Sequence, residues 1–237
     1  MERLLRTERY KLFHDKIFWI TLAVIVLINL IILSGSSVLN LPGYQALTEI
    51  MKKEILTVLI ACIYGGLFIG GDFADRTLYH GLMTGKSRGC VLMAKSIVFA
   101  LAMDALLFIF PLLLVLTCTV KNGWGITVSA GMILHLISII ASLLILGFAI
   151  SAVSLLAAVC FHDVGRTIGI PIILYFVVIL LLNSAYAPIL SRIFPVGTII
   201  LVVNGTVSVA YGILIGIVWL AFLSIVSILV FRRVELR

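Results

Sequence analysis

Charged side chains are scarce in this chain of 237 residues. Asp, Glu, Lys and Arg make up 11% of the sequence, 63% of the residues are hydrophobic, and the mean hydropathy is +1.29. Soluble domains contain roughly 45–50% apolar residues, so this composition excludes an ordinary soluble protein. A membrane span takes about 20 residues, which leaves no room for a large soluble domain beside several spans. We therefore predict an all-α membrane protein that forms a single transmembrane domain over residues 1–237.

Cysteine and histidine are also few, with four of each. The cysteines are scattered among apolar runs without metal-ligand spacing, which predicts small apolar side chains and no metal site. The sequence contains no phosphate-binding loop and no zinc-protease motif. We therefore expect no catalytic residue, metal or cofactor in this chain. The basic residues behind the net charge of +7 lie beside apolar runs, so we expect membrane lipid, and no nucleic acid, among its partners.

Apolar runs separated by short polar segments predict six spans and three shorter elements. Residues 1–16 combine apolar and basic side chains at helical spacing, which is typical of an amphipathic helix in the membrane interface. A short helix over residues 45–54 continues into the second span, and Pro and Gly break residues 188–206 into one or two extracellular re-entrant or interfacial helices. We place the spans at about 17–33, 55–70, 96–120, 126–161, 168–186 and 207–231.

The fourth span is too long for the membrane. At 1.5 Å per residue it measures about 50 Å, against a hydrocarbon core of about 30 Å. We therefore expect it to tilt, to break near Gly147 or to project beyond the membrane.

The distribution of basic residues predicts the orientation. If both termini and the segments 71–95 and 162–167 are cytoplasmic, thirteen of the 17 Lys and Arg lie inside. Cytoplasmic loops carry this excess. We therefore predict a multi-pass protein of the cell membrane with both termini in the cytoplasm.

Residues 71–95 form the longest polar interruption between strongly apolar runs. Charges cost roughly 2.5–3.5 kcal/mol each at the centre of a bilayer, so we expect this segment to face water. Its apolar residues share one face of a predicted surface helix that ends at Gly85. Such a helix suits the groove of a soluble partner, whereas the alternative is a solvated connector. The charged residues are Asp72, Asp75, Arg76, Lys86, Arg88 and Lys95.

Two ionisable residues fall inside predicted spans. Asp104 lies in the third span and His135 in the fourth, and an intramembrane carboxylate is a candidate functional group. A polar pathway or gate, or for Asp104 a pair with a cation, is one interpretation. The alternative is a neutral or hydrogen-bonded Asp that joins two helices, with a packed structural histidine.

The polar segment carries a family resemblance. The pattern begins with an acidic residue and Phe, continues with Thr-Leu and with Leu-x-x-Gly-x-Ser-Arg, and ends with Lys. The matching residues are Asp72, Phe73, Thr77, Leu78, Leu82, Gly85, Ser87, Arg88 and Lys95. This pattern resembles the ABC type-2 export permeases, closest to the branch of bacitracin and lantibiotic self-protection permeases and peptide exporters. In that family the segment is a coupling helix that docks on an ATPase. The resemblance implies docking by Asp72, Phe73, Asp75, Arg76, Thr77, Leu78, Leu82 and Arg88.

The resemblance also implies a mechanism. A separate soluble ATPase dimer would bind ATP and Mg, while two copies of this chain, or this chain and a paralogue, would move a hydrophobic or amphipathic cargo such as a peptide. Three alternatives stay open. They are a secondary transporter driven by an ion gradient through Asp104, a membrane-embedded enzyme, and a scaffold or sensory subunit that moves no cargo.

Overall fold

The computed structural model of the protein describes residues 2–34, 37–53, 55–75, 87–125 and 130–233. In these ranges the chain is helical and contains no β-strand. A 3₁₀ turn (Ser37–Asn40) precedes α3, and a π-helical segment (Gly66–Gly70) joins α4 to α5. The helices are α1 (Glu2–His14), α2 (Lys16–Ser34), α3 (Gly43–Lys53), α4 (Ile55–Gly65), α5 (Gly71–Ala74), α6 (Arg88–Asn122), α7 (Ala130–Phe161), α8 (Val164–Leu182), α9 (Ala187–Ile193), α10 (Pro195–Val203) and α11 (Val209–Arg233).

Within the described residues, six helical stretches are long and apolar enough to cross a membrane, which confirms the predicted all-α multi-pass protein. Each stretch overlaps one of the six predicted spans along most of its length. The stretches are Lys16–Ser34, Thr57–Ala74, Gly89–Asn122, Ile133–Phe161, Val164–Leu182 and Val209–Phe231.

The polar segment between the second and third spans is shorter than predicted. Residues 71–74 continue the second span as α5, and α6 begins at Arg88 instead of near residue 96. Asp72 and Lys95 are accommodated in these helices because their charges pair with each other. The predicted surface helix falls mainly on residues 76–86, outside the described residues.

The connection between α7 and α8 is also shorter than predicted, because Asp163 starts the new helix early. Its carboxylate accepts a hydrogen bond from the backbone N–H of Arg166 at 2.9 Å, the usual arrangement of a helix N-cap. The loop therefore consists of His162 and Asp163, and α8 runs from Val164 to Leu182, not to residue 186.

Helix α7 is continuous through Gly147, so the predicted break there is wrong. Its 32 residues measure about 48 Å, and a tilt or a projection beyond the membrane remains the explanation for its length. Gly147 packs against α6, since a Cβ added there would lie 2.2 Å from Oδ1 of Asp104.

Two short helices, α9 and α10, occupy the segment predicted to hold one or two. Helix α10 buries its whole first turn, from Pro195 to Thr198, and its last two residues. The indole N–H of Trp219 in α11 donates to the carbonyl of Ile193 at 2.8 Å. The last turn of α9 is therefore fixed against the final span.

Candidate functional site

Four charged side chains meet where α1 crosses the ends of the second and third spans. Glu8 and Lys11 come from α1, Asp72 from α5 and Lys95 from α6. Residues three apart lie on the same face of a helix, so α1 directs Glu8 and Lys11 together toward the spans. We call these four residues the charge cluster.

Asp72 is the centre of the charge cluster. Its Oδ1 accepts a hydrogen bond from Nζ of Lys11, and its Oδ2 is paired with Nζ of Lys95. The same Lys95 nitrogen lies 3.4 Å from Oε2 of Glu8. Among the described side chains, two carboxylates thus face two ammonium groups, and these four groups have no net formal charge.

The pairing of charges in the cluster matters because two of its side chains are buried. Lys95 is 1% exposed and Asp72 is 7% exposed, whereas the side chain of Lys11 is 46% exposed. A buried charge is tolerated only when it is paired and hydrogen-bonded. The cluster therefore holds α1, α5 and α6 in a fixed arrangement.

An aromatic ring forms the floor of the charge cluster. The Nζ atoms of Lys95 and Lys11 lie 4.8 and 5.7 Å from the centroid of the Phe68 ring, within the range of a cation–π interaction. Phe68 in turn stacks on Tyr64 at 5.4 Å and on Phe99 at 6.3 Å. These rings connect the ion pairs to the apolar core between the second and third spans.

Phe68 belongs to the π-helical segment Gly66–Gly70. Such segments often occur at functional sites, and their extra residue per turn changes the face on which the following residues lie. Glycine allows α8 to approach closely here. A Cβ on Gly66 would lie 2.1 Å from Cγ1 of Ile168 and 2.9 Å from its backbone nitrogen. The segment before Asp72 is therefore packed tightly against the fifth span.

Phe73 links the same end of the second span to two other helices. Its ring meets His162 edge-on at 5.1 Å and Phe231 of α11 at 6.0 Å. His162 has the left-handed backbone conformation (φ 53°), and burial lowers the pKa of its imidazole. Phe73 thus joins the end of α5 to the α7–α8 turn and to the last helix.

The residues predicted to dock an ATPase fall into three groups. Asp72 and Phe73 are buried in contacts within the chain, whereas Asp75 is exposed at the end of α5. The expectation that every charge of residues 71–95 faces water is wrong for Asp72 and Lys95, because the charge cluster neutralises them. The docking role itself stays a prediction. The remaining predicted positions lie outside the described residues, either entirely (Arg76, Thr77, Leu78, Leu82) or in their side chain (Arg88).

Asp104 and His135, the two ionisable residues within predicted spans, lie in different surroundings. Asp104 is 4% exposed and packs against Gly147, and neither carboxylate oxygen has a hydrogen-bond partner among the described residues. His135 is exposed on α7, twelve residues before Gly147, which is about 18 Å along the helix axis. Asp104 therefore stands alone as a buried carboxylate in the third span.

Sequence reasoning missed Glu8 and Lys11 as site residues and treated Lys95 as part of a loop motif. A signal was available, because Asp72 and Lys95 flank a predicted loop from opposite ends with opposite charge. Within the described residues, no group of three or more His, Cys, Asp and Glu side chains is arranged to hold a metal ion. The ion pairs of the charge cluster brace α1 against α5 and α6.

No family model matches the chain, and no curated protein matches it as a relative.

Proposed function

We propose that this chain is the membrane subunit of an ATP-driven exporter of the ABC type-2 class. A soluble ATPase docks on the connection between α5 and α6, through residues 75–88, on the cytoplasmic side. The sequence pattern across residues 72–95 and the six apolar helices support this proposal. ATP and Mg bind to the soluble partner, and this chain carries no catalytic residue.

The observation that carries the proposal is the ion pair between Asp72 and Lys95. Asp72 lies three residues before the connection, Lys95 lies about two turns into α6, and their ion pair joins the second span to the third. Lys11 and Glu8 extend the same network to α1. A push on the connection therefore acts on the second span, the third span and α1 as one body. A coupling element between an ATPase and a membrane path needs this mechanical property.

The spans also leave surface for a second subunit. In the most apolar 18 residues of each span, 22% of the residues of Val164–Leu182 and 17% of those of Val209–Phe231 are buried within the chain. The corresponding share for Thr57–Ala74 is 67%. We propose that the fifth and sixth spans face lipid or a second copy or paralogue. Cargo moves along the path between the two subunits. The apolar character of the spans favours a hydrophobic or amphipathic peptide, as in antimicrobial peptide export or self-protection.

A second candidate function depends on Asp104. A buried intramembrane carboxylate without a described partner is also what a transporter driven by an ion gradient needs. The Asp104→Asn variant distinguishes an ATP-driven exporter from a transporter driven by an ion gradient. The exporter proposal expects ATP-dependent activity to survive this change, whereas a gradient-driven transporter would lose its activity.

Affinity purification from the native membrane tests the proposal. We expect the wild-type chain to retain a soluble protein that carries a phosphate-binding loop and hydrolyses ATP. The double variant Leu78→Asp/Leu82→Asp should lose this partner while it remains folded in the membrane. Lys121→Asp is the control, because it adds an acidic group to an exposed position in the last turn of α6, at the end far from the connection.

Two outcomes would contradict the proposal. One is the absence of any ATPase from the wild-type preparation in all nucleotide states. The other is equal retention of the ATPase by the Leu78→Asp/Leu82→Asp variant, which would move the docking site away from this connection.

A further inference from the structure

A groove runs between α1 and the third to fifth turns of α6. It has a volume of about 520 Å³. Its floor on α6 includes Ile97, Leu101 and Ala105, and its α1 wall includes Arg6 and Arg9. The floor extends over eight residues of α6, or about 12 Å. The groove therefore has an apolar floor along a membrane span and a basic edge formed by Arg6 and Arg9 of α1.

The basic edge is one stripe of α1. Glu2, Arg6, Arg9 and Phe13 recur at intervals of four, three and four residues, so they share a face of the helix. All four line the groove. The charge cluster fixes α1 by a different set of residues, which leaves this stripe open toward the groove.

The charges on the stripe are not balanced. Arg6 lies 3.6 Å from Glu2, but both side chains are largely exposed, so this pair is weak. Arg9 has no acidic partner among the described residues. One net positive charge therefore remains at the edge, on a guanidinium group whose planar donors suit a phosphate.

The groove begins about 12 Å from the start of an apolar span. The apolar stretch of α6 begins at Gly89, eight residues before Ile97. The indole N–H of Trp19 donates to the carbonyl of Phe13 in the groove wall at 3.0 Å. Trp is typical of the membrane–water interface. A ligand in this groove would thus have its polar end at the interface and its apolar part along the span.

We propose that the groove binds one anionic phospholipid, with its phosphate at Arg6 and Arg9 and an acyl chain along Ile97, Leu101 and Ala105. The apolar floor favours a lipid over a soluble phosphate, which would leave most of the groove empty. A second cavity of about 440 Å³ lies across the same Ile97–Leu101 ridge, between α6, α7 and α11. No charged residue is among those that line it, so it offers no comparable headgroup site.

Quenching of Trp19 by brominated lipid tests the proposal in the full-length protein. Trp124→Phe and Trp219→Phe leave Trp19 as the single remaining Trp of the three. The protein is placed in phosphatidylcholine nanodiscs that contain brominated phosphatidylglycerol or brominated phosphatidylcholine at the same mole fraction. We expect about a fivefold preference for the anionic lipid, as one net cation at the membrane surface provides.

Variants locate the preference in the groove. Arg6→Gln/Arg9→Gln should bring the ratio of the two quenching constants close to one, whereas Lys121→Gln on the far end of α6 should leave it unchanged. Ala105→Phe, which fills the floor, should lower quenching by both lipids. Soluble glycerol phosphate should not compete, because it lacks the acyl chain.

Three results would overturn the proposal. The first is equal quenching by the two lipids in the protein with intact arginines. The second is a preference that persists after both arginines are replaced. The third is full competition by glycerol phosphate, which would identify a soluble phosphate as the ligand.

Discussion

Replacing Asp72 by Asn removes the central carboxylate of the charge cluster. The amide keeps the shape of the side chain but cannot balance two ammonium groups. Lys11 is 46% exposed in its side chain and can turn toward water. Lys95 is 1% exposed and would keep only Glu8, at 3.4 Å, as an acidic partner. We therefore expect Asp72→Asn to lower the stability of the protein.

The size of the loss follows from the burial of Lys95. Removing one partner of a buried ion pair costs about 3–5 kcal/mol, because the other charge stays buried. Replacing both charges by groups of similar volume is often nearly neutral. The double variant Asp72→Asn/Lys95→Met should therefore be more stable than Asp72→Asn alone. We expect a coupling of about 2 kcal/mol between the two substitutions, within the range for residues in one network.

Unfolding in mixed micelles with increasing dodecyl sulfate, followed by circular dichroism, measures these differences. Asp75→Asn is the control, since this exposed carboxylate lies three residues away and should change the stability by less than about 0.5 kcal/mol. The reasoning would be refuted if Asp72→Asn matched the wild type, or if the double variant lost as much stability as the two single variants together.

Two further predictions concern the contacts around the charge cluster. Gly66→Ala should lower the free energy of unfolding by about 1–3 kcal/mol, the usual cost of an overpacked contact. The added Cβ would lie 2.9 Å from the backbone nitrogen of Ile168. A Cβ on Gly71 would meet no atom within 4 Å, so Gly71→Ala should not lower the stability. Equal losses in the two variants would contradict the close packing of Gly66 against Ile168. Burial holds the pKa of His162 below its usual 6.5, so its contribution to stability should be present above pH 6.5 and decline as the pH falls below it. His162→Asn, which tolerates the left-handed backbone, should flatten a titration of the unfolding midpoint in this range, and an unchanged profile would exclude the imidazole as the cause.

The six spans could be predicted from the sequence because the cost of placing polar groups in lipid acts residue by residue. Long apolar runs such as 207–231 have few alternatives to a membrane helix. The ends of the spans were predicted less well where a charge has a partner. Hydropathy treats Asp72 and Lys95 as isolated charges and assigns both to a loop, but their pairing allows each to continue a helix.

The charge cluster could not be derived from local patterns. Glu8 lies 87 residues from Lys95, and Lys11 lies 61 residues from Asp72, so no helical or strand periodicity connects them. Asp104 could be recognised as an unusual residue from its position in an apolar run. Its contact with Gly147, and its distance from His135, depended on the register between α6 and α7, which the sequence does not define.

ATP turnover with and without the membrane chain tests whether a soluble ATPase is coupled to this chain through the α5–α6 connection. The purified soluble ATPase is compared alone, with the wild-type chain in lipid nanodiscs, and with the Leu78→Asp/Leu82→Asp variant. The account predicts that the wild-type chain changes the rate of ATP hydrolysis and that the variant does not. The account would be contradicted if turnover were the same in all three samples while vesicles that contain this chain alone moved a peptide cargo under a proton or sodium gradient.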